Sequence, residues 1–204
     1  MTLENELRLA MSLIARTPII VAHGYAAKRC YIDGGSLYLH RAMPHKGTAE
    51  NFLAASRDDR KYSDEEAKLL DLCLVLHAEH GGGNNSTFST RVISSSYTDI
   101  FSAIAAGVGA LKGPRHGGAN IRCKEMVDVV AENTKDWNDD DEIRSVLVRI
   151  LNKELGDGSG LIYGMGHAVY TISDPRAKVL KRFARSLADQ TPKWRDRLHL
   201  IESI

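Results

Sequence analysis

Apolar side chains recur at helical spacing from the start of the chain: Leu3, Leu7, Ala10, Met11 and Ile14 form one stripe. Thr2 stands where a helix cap belongs, with Glu4 and Glu6 in the first turn. Pro18 lacks a backbone N–H, so this helix is predicted to stop there. The Gly, Pro and His residues between Asp33 and Thr48 predict an irregular segment whose His40 and His45 are solvated. Ser63 and Glu66 then make a capping box ahead of Ala67, Leu70, Leu74 and His77, which puts His77 on the apolar side of a helix. The next helix is predicted from Thr98 or Asp99 to Lys112. It is built from Ala103, Ala105, Ala106, Gly107, Gly109 and Ala110, small side chains that let another helix approach closely. Further helices are expected at about Ala119 to Glu132, Asp140 to Leu155 and Asp174 to Leu187, and from Lys193 onward. The acidic stretch from Asp136 to Glu142 reads as a polar connection and helix start. No segment alternates as a strand does, so the predicted fold class is all-α, a multi-helix architecture.

Composition narrows the function classes. Hydrophobic residues at 43% and charged residues at 26% of 204 supply a buried core for one domain or parts of two. The 27 basic and 26 acidic residues leave a formal charge of +1, which advertises no surface for nucleic acid. Cys30, Cys73 and Cys123 are isolated and odd in number, a pattern of reduced core thiols rather than a disulfide frame or zinc site. The apolar run Ile100 to Leu111 is too short to cross a bilayer, and the acidic, amphipathic N-terminus is wrong for a secretion signal. A cytoplasmic chain with no membrane partner is the expectation.

Two clusters carry candidate chemistry. From Leu76 to Asn120 the chain holds His77 and His80 at the end of an apolar helix and His116 between a Gly-Pro turn and a Gly-Gly helix start. From Gly164 to Ala177, GMGHAVYTISDPRA adds His167 and Arg176. Histidine exchanges protons near neutrality and arginine grips carboxylates with a planar fork, so proton chemistry on a small, carboxylated substrate is indicated. His77 and His80 lie three apart with Glu79 between them, a spacing that can chelate. The metalloprotease helix instead needs histidines four apart, and no Cys or carboxylate set nearby completes four ligands, so no metal is expected. His77 reads as a satisfied core histidine. His80, ahead of Gly81-Gly82-Gly83, is the better ligand for a substrate.

Those segments closely resemble the citrate synthase family, whose hallmarks look like HADH followed shortly by SxxxxR, then GPxHGGAN, then GxGHxVYxxxDPRA. The matching stretches here are HAEH at 77–80, Ser86 to Arg91, GPRHGGAN at 113–120 and GMGHAVYTISDPRA at 164–177. ARTPIIVAHGYA at 15–26, AENFL at 49–53 and SDEEAKLLDLCLVLH at 63–77 are also similar, so the likeness spans most of the chain.

The resemblance implies condensation of acetyl-CoA with oxaloacetate to give citrate and CoA, with no cofactor beyond the CoA thioester used as substrate. It assigns His116 to the enolate oxygen of acetyl-CoA and His167 to the ketone of oxaloacetate, with His80 and Arg176 binding oxaloacetate. The physical case for His116 is that a neutral imidazole donates a hydrogen bond where charge develops, and the positive end of the helix opened by Gly117 and Gly118 favours the neutral ring. Asn84 and Ser86 match polar positions that support this histidine, with the Ser86 hydroxyl expected to fix its tautomer. For Arg176, Asp174 caps a helix, Pro175 suits its first turn, and backbone N–H groups lie beside the guanidinium. The loop formed by Leu161, Ile162, Tyr163, Gly164, Met165 and Gly166 looks like the family loop whose backbone recognises the CoA adenine.

The resemblance also implies a homodimer, with residues 1–118 belonging to a large helical domain and 119–204 to a small lid domain. The family's catalytic aspartate lies well beyond the second catalytic histidine and has no match here, so the 204 residues alone are expected to be inactive. Two other readings stay open: 2-methylcitrate synthase, which differs mainly in the shape of its acyl pocket, and a noncatalytic helical assembly module.

Overall fold

A computed structural model describes residues 2–78, 81–165 and 171–204. Among them lie nine α-helices and no strand. They are α1 (Leu3–Tyr31), α2 (Thr48–Ser56), α3 (Asp64–His77), α4 (Asn85–Ser94), α5 (Ile100–Leu111), α6 (Gly118–Asn133), α7 (Asp140–Leu151), α8 (Pro175–Ala188) and α9 (Pro192–Ser203). The chain forms two compact units, Met1–Gly81 and Gly82–Ile204.

In the first unit α2 packs against α1 and α3. Among the described residues of this unit the buried ones are all alanines: Ala22, Ala49, Ala54, Ala55 and Ala67. Small side chains let these helices lie close, but each methyl removes little apolar area from water. Polar anchors supplement them. The capping box at Ser63 and Glu66 forms as expected, and the Arg57 guanidinium adds two bonds to the Glu66 carboxylate, at 2.9 and 2.6 Å.

Helix α1 departs from expectation, because it runs through Pro18 without ending. The proline removes one helical hydrogen bond, yet packing beyond it sustains the helix. Ala22 is fully buried and the His23 ring bonds to the His40 carbonyl at 2.9 Å. Thr2 caps this helix as predicted, its hydroxyl accepting from the Asn5 N–H. At 29 residues with a window of mean hydropathy 1.2, α1 is long and apolar enough to cross a membrane by length and composition. Among the described residues the longest apolar helix is thus α1 rather than the run Ile100–Leu111, which remains too short to cross a bilayer. The segment after Asp33 is irregular, but His40 is tied down rather than merely solvated: its Nε2 donates to the Asp58 carbonyl at 3.1 Å.

In the second unit, helix packing falls into two groups among the described residues, α4 with α5, and α6 with α7, α9 and α8 in series. The core of the latter is Met126, Val127, Val130, Ile143, Val146, Ile150 and Leu200. Gly118, where the sequence places a division, is the first residue of α6. Helix α7 is one turn shorter than expected, and α2 and α4 were not predicted.

Candidate functional site

The surroundings of His116 begin with glycine. Ser86 and Thr90 lie one turn apart on α4, facing Gly107 of α5. A Cβ at Gly107 would fall 2.5 Å from the Thr90 Oγ1 and 3.4 Å from the Ser86 carbonyl oxygen. Glycine therefore lets the two helices touch, and the Ser86 hydroxyl reaches the Gly107 carbonyl at 2.8 Å. Past the end of α5, the N–H groups of His116 and Gly117 both bond to the Gly113 carbonyl at 3.0 Å. A Cβ at Gly117 would sit 2.1 Å from the Leu111 carbonyl oxygen, so this tight reversal excludes any side chain there. It swings the His116 ring back to α4, where Nε2 lies 2.7 Å from the Ser86 Oγ.

The Ser86 hydroxyl has one proton and two neighbours that can accept it. When it donates to the Gly107 carbonyl, His116 must donate from Nε2, leaving Nδ1 as an acceptor. When it donates to Nε2, Nδ1 carries the proton and is free to donate elsewhere. The pair thus ties the tautomer of His116 to the orientation of one hydroxyl. Helix α6 starts at Gly118, with Gly117 as its cap residue and no side-chain cap bond, so His116 sits beside its N-terminus. Asn84 stands two residues before Ser86. It caps α4, accepting from the Thr87 N–H at 2.9 Å and donating to the Thr87 hydroxyl at 2.9 Å.

Leu161, Ile162, Tyr163, Gly164 and Met165 form a loop against α6. Ile162 and Tyr163 pack on the core, whereas Leu161 and Met165 are exposed. The Tyr163 N–H donates to the Met126 Sδ at 3.2 Å. Gly164 has a φ of +87°, and a Cβ there would lie 3.0 Å from the Cys123 Sγ. The polar frame beneath the loop was not read from the sequence: Asp157 accepts from Tyr163, Ser159 and Arg122. An Asx-turn signal at Asp157-Gly158-Ser159 was available, but its long-range partner Arg122 was not.

Asp174 caps α8 as expected, accepting from the Arg176 N–H at 2.8 Å. The same carboxylate also receives the Arg176 guanidinium, from Nε at 3.0 Å and from Nη2 at 2.6 Å. The positive charge therefore lies over the helix cap, about three-quarters buried, with its counter-charge in place. A dicarboxylate bound at this arginine would share it with Asp174. His77 is not a core residue in this chain: it is exposed, and its Nδ1 donates to the Cys73 carbonyl at 2.6 Å. His80, Gly166 and His167 lie outside the described residues, and with them the convergence of His167 on His116 and Arg176.

Comparison with known proteins follows the same segments. Residues 2–204 match the family model described as citrate synthase, C-terminal domain. A citrate synthase of Deinococcus radiodurans is 36% identical over 191 residues, covering 92% of this chain and 45% of that protein. A 2-methylcitrate synthase of Corynebacterium glutamicum is 38% identical over 202 residues, covering 95% of this chain and 46% of its own length. Among solved structures, citrate synthase from Pyrobaculum aerophilum superposes with a TM-score of 0.73 at 33% identity, over 92% of this chain and 41% of that one. The citrate synthase of Thermoplasma acidophilum, described as a ternary complex with carboxymethyl coenzyme A and oxaloacetate, gives a TM-score of 0.77 at 27% identity, over 99% of this chain and 48% of that one. The chain spans about half the length of the relatives it matches.

Proposed function

The chain belongs to the citrate synthase family, and on that footing we propose that it carries the acyl-CoA half of a site condensing acetyl-CoA with oxaloacetate. The observation that carries this reading is the Ser86–His116 pair at the start of α6. Drawing a proton from the methyl group of a thioester builds negative charge on the carbonyl oxygen. A donor already oriented toward that oxygen lowers the barrier without reorganising as the charge appears. His116 becomes such a donor through Nδ1 once the Ser86 hydroxyl turns from the Gly107 carbonyl to Nε2. His167 acts on the ketone, and His80 and Arg176 hold oxaloacetate. Asp174 helps by keeping the Arg176 guanidinium in one orientation before the substrate arrives.

The base that takes the methyl proton is assigned to none of the carboxylates in these residues. The 204-residue polypeptide by itself accordingly binds ligands without turning them over. Incubation with acetyl-CoA and oxaloacetate, following free thiol, tests this; CoA release at an ordinary enzymatic rate contradicts it. Oxaloacetate binding that disappears in Arg176→Ala supports the substrate site.

A preference for propionyl-CoA is the second reading, supported by the 2-methylcitrate synthase relative. Comparing the affinities for acetyl-CoA and propionyl-CoA separates the two. We further propose a homodimer through α5, whose Phe101, Ile104, Val108 and Leu111 are exposed although Ala103 and Gly107 of the same helix are buried. A cytoplasmic protein without a membrane partner completes the reading, with the apolar side of α1 covered by protein. Self-association with no response to CoA or oxaloacetate would favour the noncatalytic assembly module instead.

A further inference from the structure

The loop at Leu161–Met165 lies over a poorly filled space. A cavity of about 220 Å³ lies beside it, lined by Arg122, Met126, Val129, Ile150, Leu161 and Tyr163. Ile162 and Tyr163 pack on the core, but Leu161 borders this cavity and both Leu161 and Met165 are exposed, so a backbone expected to read a ligand by its own N–H and C=O groups needs further support.

That support is polar and is centred on one carboxylate. Asp157 Oδ2 accepts from the Tyr163 hydroxyl at 2.6 Å and from Arg122 Nη1 at 2.6 Å, while Oδ1 accepts from the Ser159 N–H at 3.0 Å. Ser159 passes the constraint on, because its Oγ accepts from the Leu161 N–H at 3.2 Å and lies 3.2 Å from the Tyr163 hydroxyl. Arg122 and Met126 are one turn apart on α6, and Met126 holds the Tyr163 N–H. The helix that begins beside His116 thus also carries two of the contacts that support the loop.

We propose that Asp157 is a positioning residue for CoA, fixing the loop Leu161–Met165 through Tyr163, Ser159 and Arg122 in the geometry that recognises the nucleotide end of the thioester. This rests on the reading of that loop as the adenine-binding segment. The Tyr163 and Ser159 hydroxyls, the Ser159 amide and the Arg122 charge hold the Asp157 carboxyl well below the usual carboxylate range, so the anchor stays ionised at neutral pH. A loosened loop pays its ordering cost when the nucleotide binds, whereas the pantetheine arm is indifferent to it.

The experiment is calorimetric titration of the full chain with CoA and with pantetheine, which lacks the nucleotide. The wild type is expected to favour CoA. Asp157→Ala is expected to weaken CoA binding about tenfold, with pantetheine affinity unchanged. Asp157→Asn, which keeps the acceptor for Ser159, should recover part of the loss. Tyr163→Phe removes a single hydroxyl and carries the test if Asp157→Ala fails to fold. Wild-type binding that does not distinguish CoA from pantetheine overturns the reading of the loop itself. A wild type that distinguishes them, with Asp157→Ala and Tyr163→Phe doing so equally well, leaves that reading standing and overturns the role of Asp157.

Discussion

Ser86 and His116, thirty residues apart in the chain, meet through Oγ and Nε2 at 2.7 Å, with the Gly107 carbonyl 2.8 Å from the same hydroxyl. Ser86→Ala deletes both bonds while keeping the Cβ. Because one of them satisfies a helical carbonyl only in part, the cost in stability is about 1 kcal/mol. The larger effect is on the ring. Nitrogen NMR of His116 should show one dominant tautomer in the wild type and a mixture in Ser86→Ala; identical spectra would disprove tautomer control.

Two glycines make that meeting possible, and each makes a distinct prediction. Gly117→Ala puts a methyl carbon 2.1 Å from a backbone oxygen, which has no flexible partner to move aside. Unfolding by urea should reveal a loss of about 3 kcal/mol, together with loss of the Ser86–His116 bond. Gly107→Ala instead meets the Thr90 side chain at 2.5 Å. Its cost of about 1–3 kcal/mol should shrink when Thr90→Ala is added, since the clash is with a hydroxyl that can be removed. A double variant no more stable than Gly107→Ala alone would place the strain in the backbone.

The two units differ in what they bury. Alanine methyls fill the first, whereas Met126, Val130, Ile143, Ile150 and Leu200 fill the second. Hydrogen exchange should therefore be faster in α2 and α3 than in α6 and α7, by about tenfold or more. Equal protection in the two sets would contradict the burial argument.

Acid should act on the first unit through Glu66. Bonds from Arg57, then from the Ser63 amide, lower its pKa from 4.5 to about 2. A carboxyl depressed on folding stabilises the folded state above its unfolded pKa, and that contribution fades as pH falls from 4.5 toward 2. Glu66→Gln should cost about 1 kcal/mol at pH 7, the pair being only partly buried, and should flatten the pH dependence across that window. Thermal melts at pH 7 and in acid check both parts; an unchanged slope would show that the ion pair contributes nothing.

Local rules read much of this fold. Thr2, Ser63 with Glu66, Asp99 and Asp174 are caps whose bonds close within three residues, so the sequence is enough to place them. Pro18 misled because the packing of Ala22 and the tie from His23 to the His40 carbonyl are tertiary facts that override a local break. Helix α4 went unseen because NSTFSTRVIS is rich in β-branched and hydroxyl residues that resist helix formation. Its stability comes from contact with α5. Of the candidate site, the helix start after His116 was legible from Gly117 and Gly118, and Ser86 came from family resemblance. The Arg122–Asp157 link spans 35 residues and leaves no local trace.

In the proposed function His116 and the loop at Leu161–Met165 serve one CoA thioester. The most direct measurement is an NMR titration of the full chain with carboxymethyl-CoA, following the His116 ring and the Leu161 and Gly164 amides together. The predicted result is that all three move and saturate with a single dissociation constant. Saturation of the loop signals with no response from His116 would contradict it.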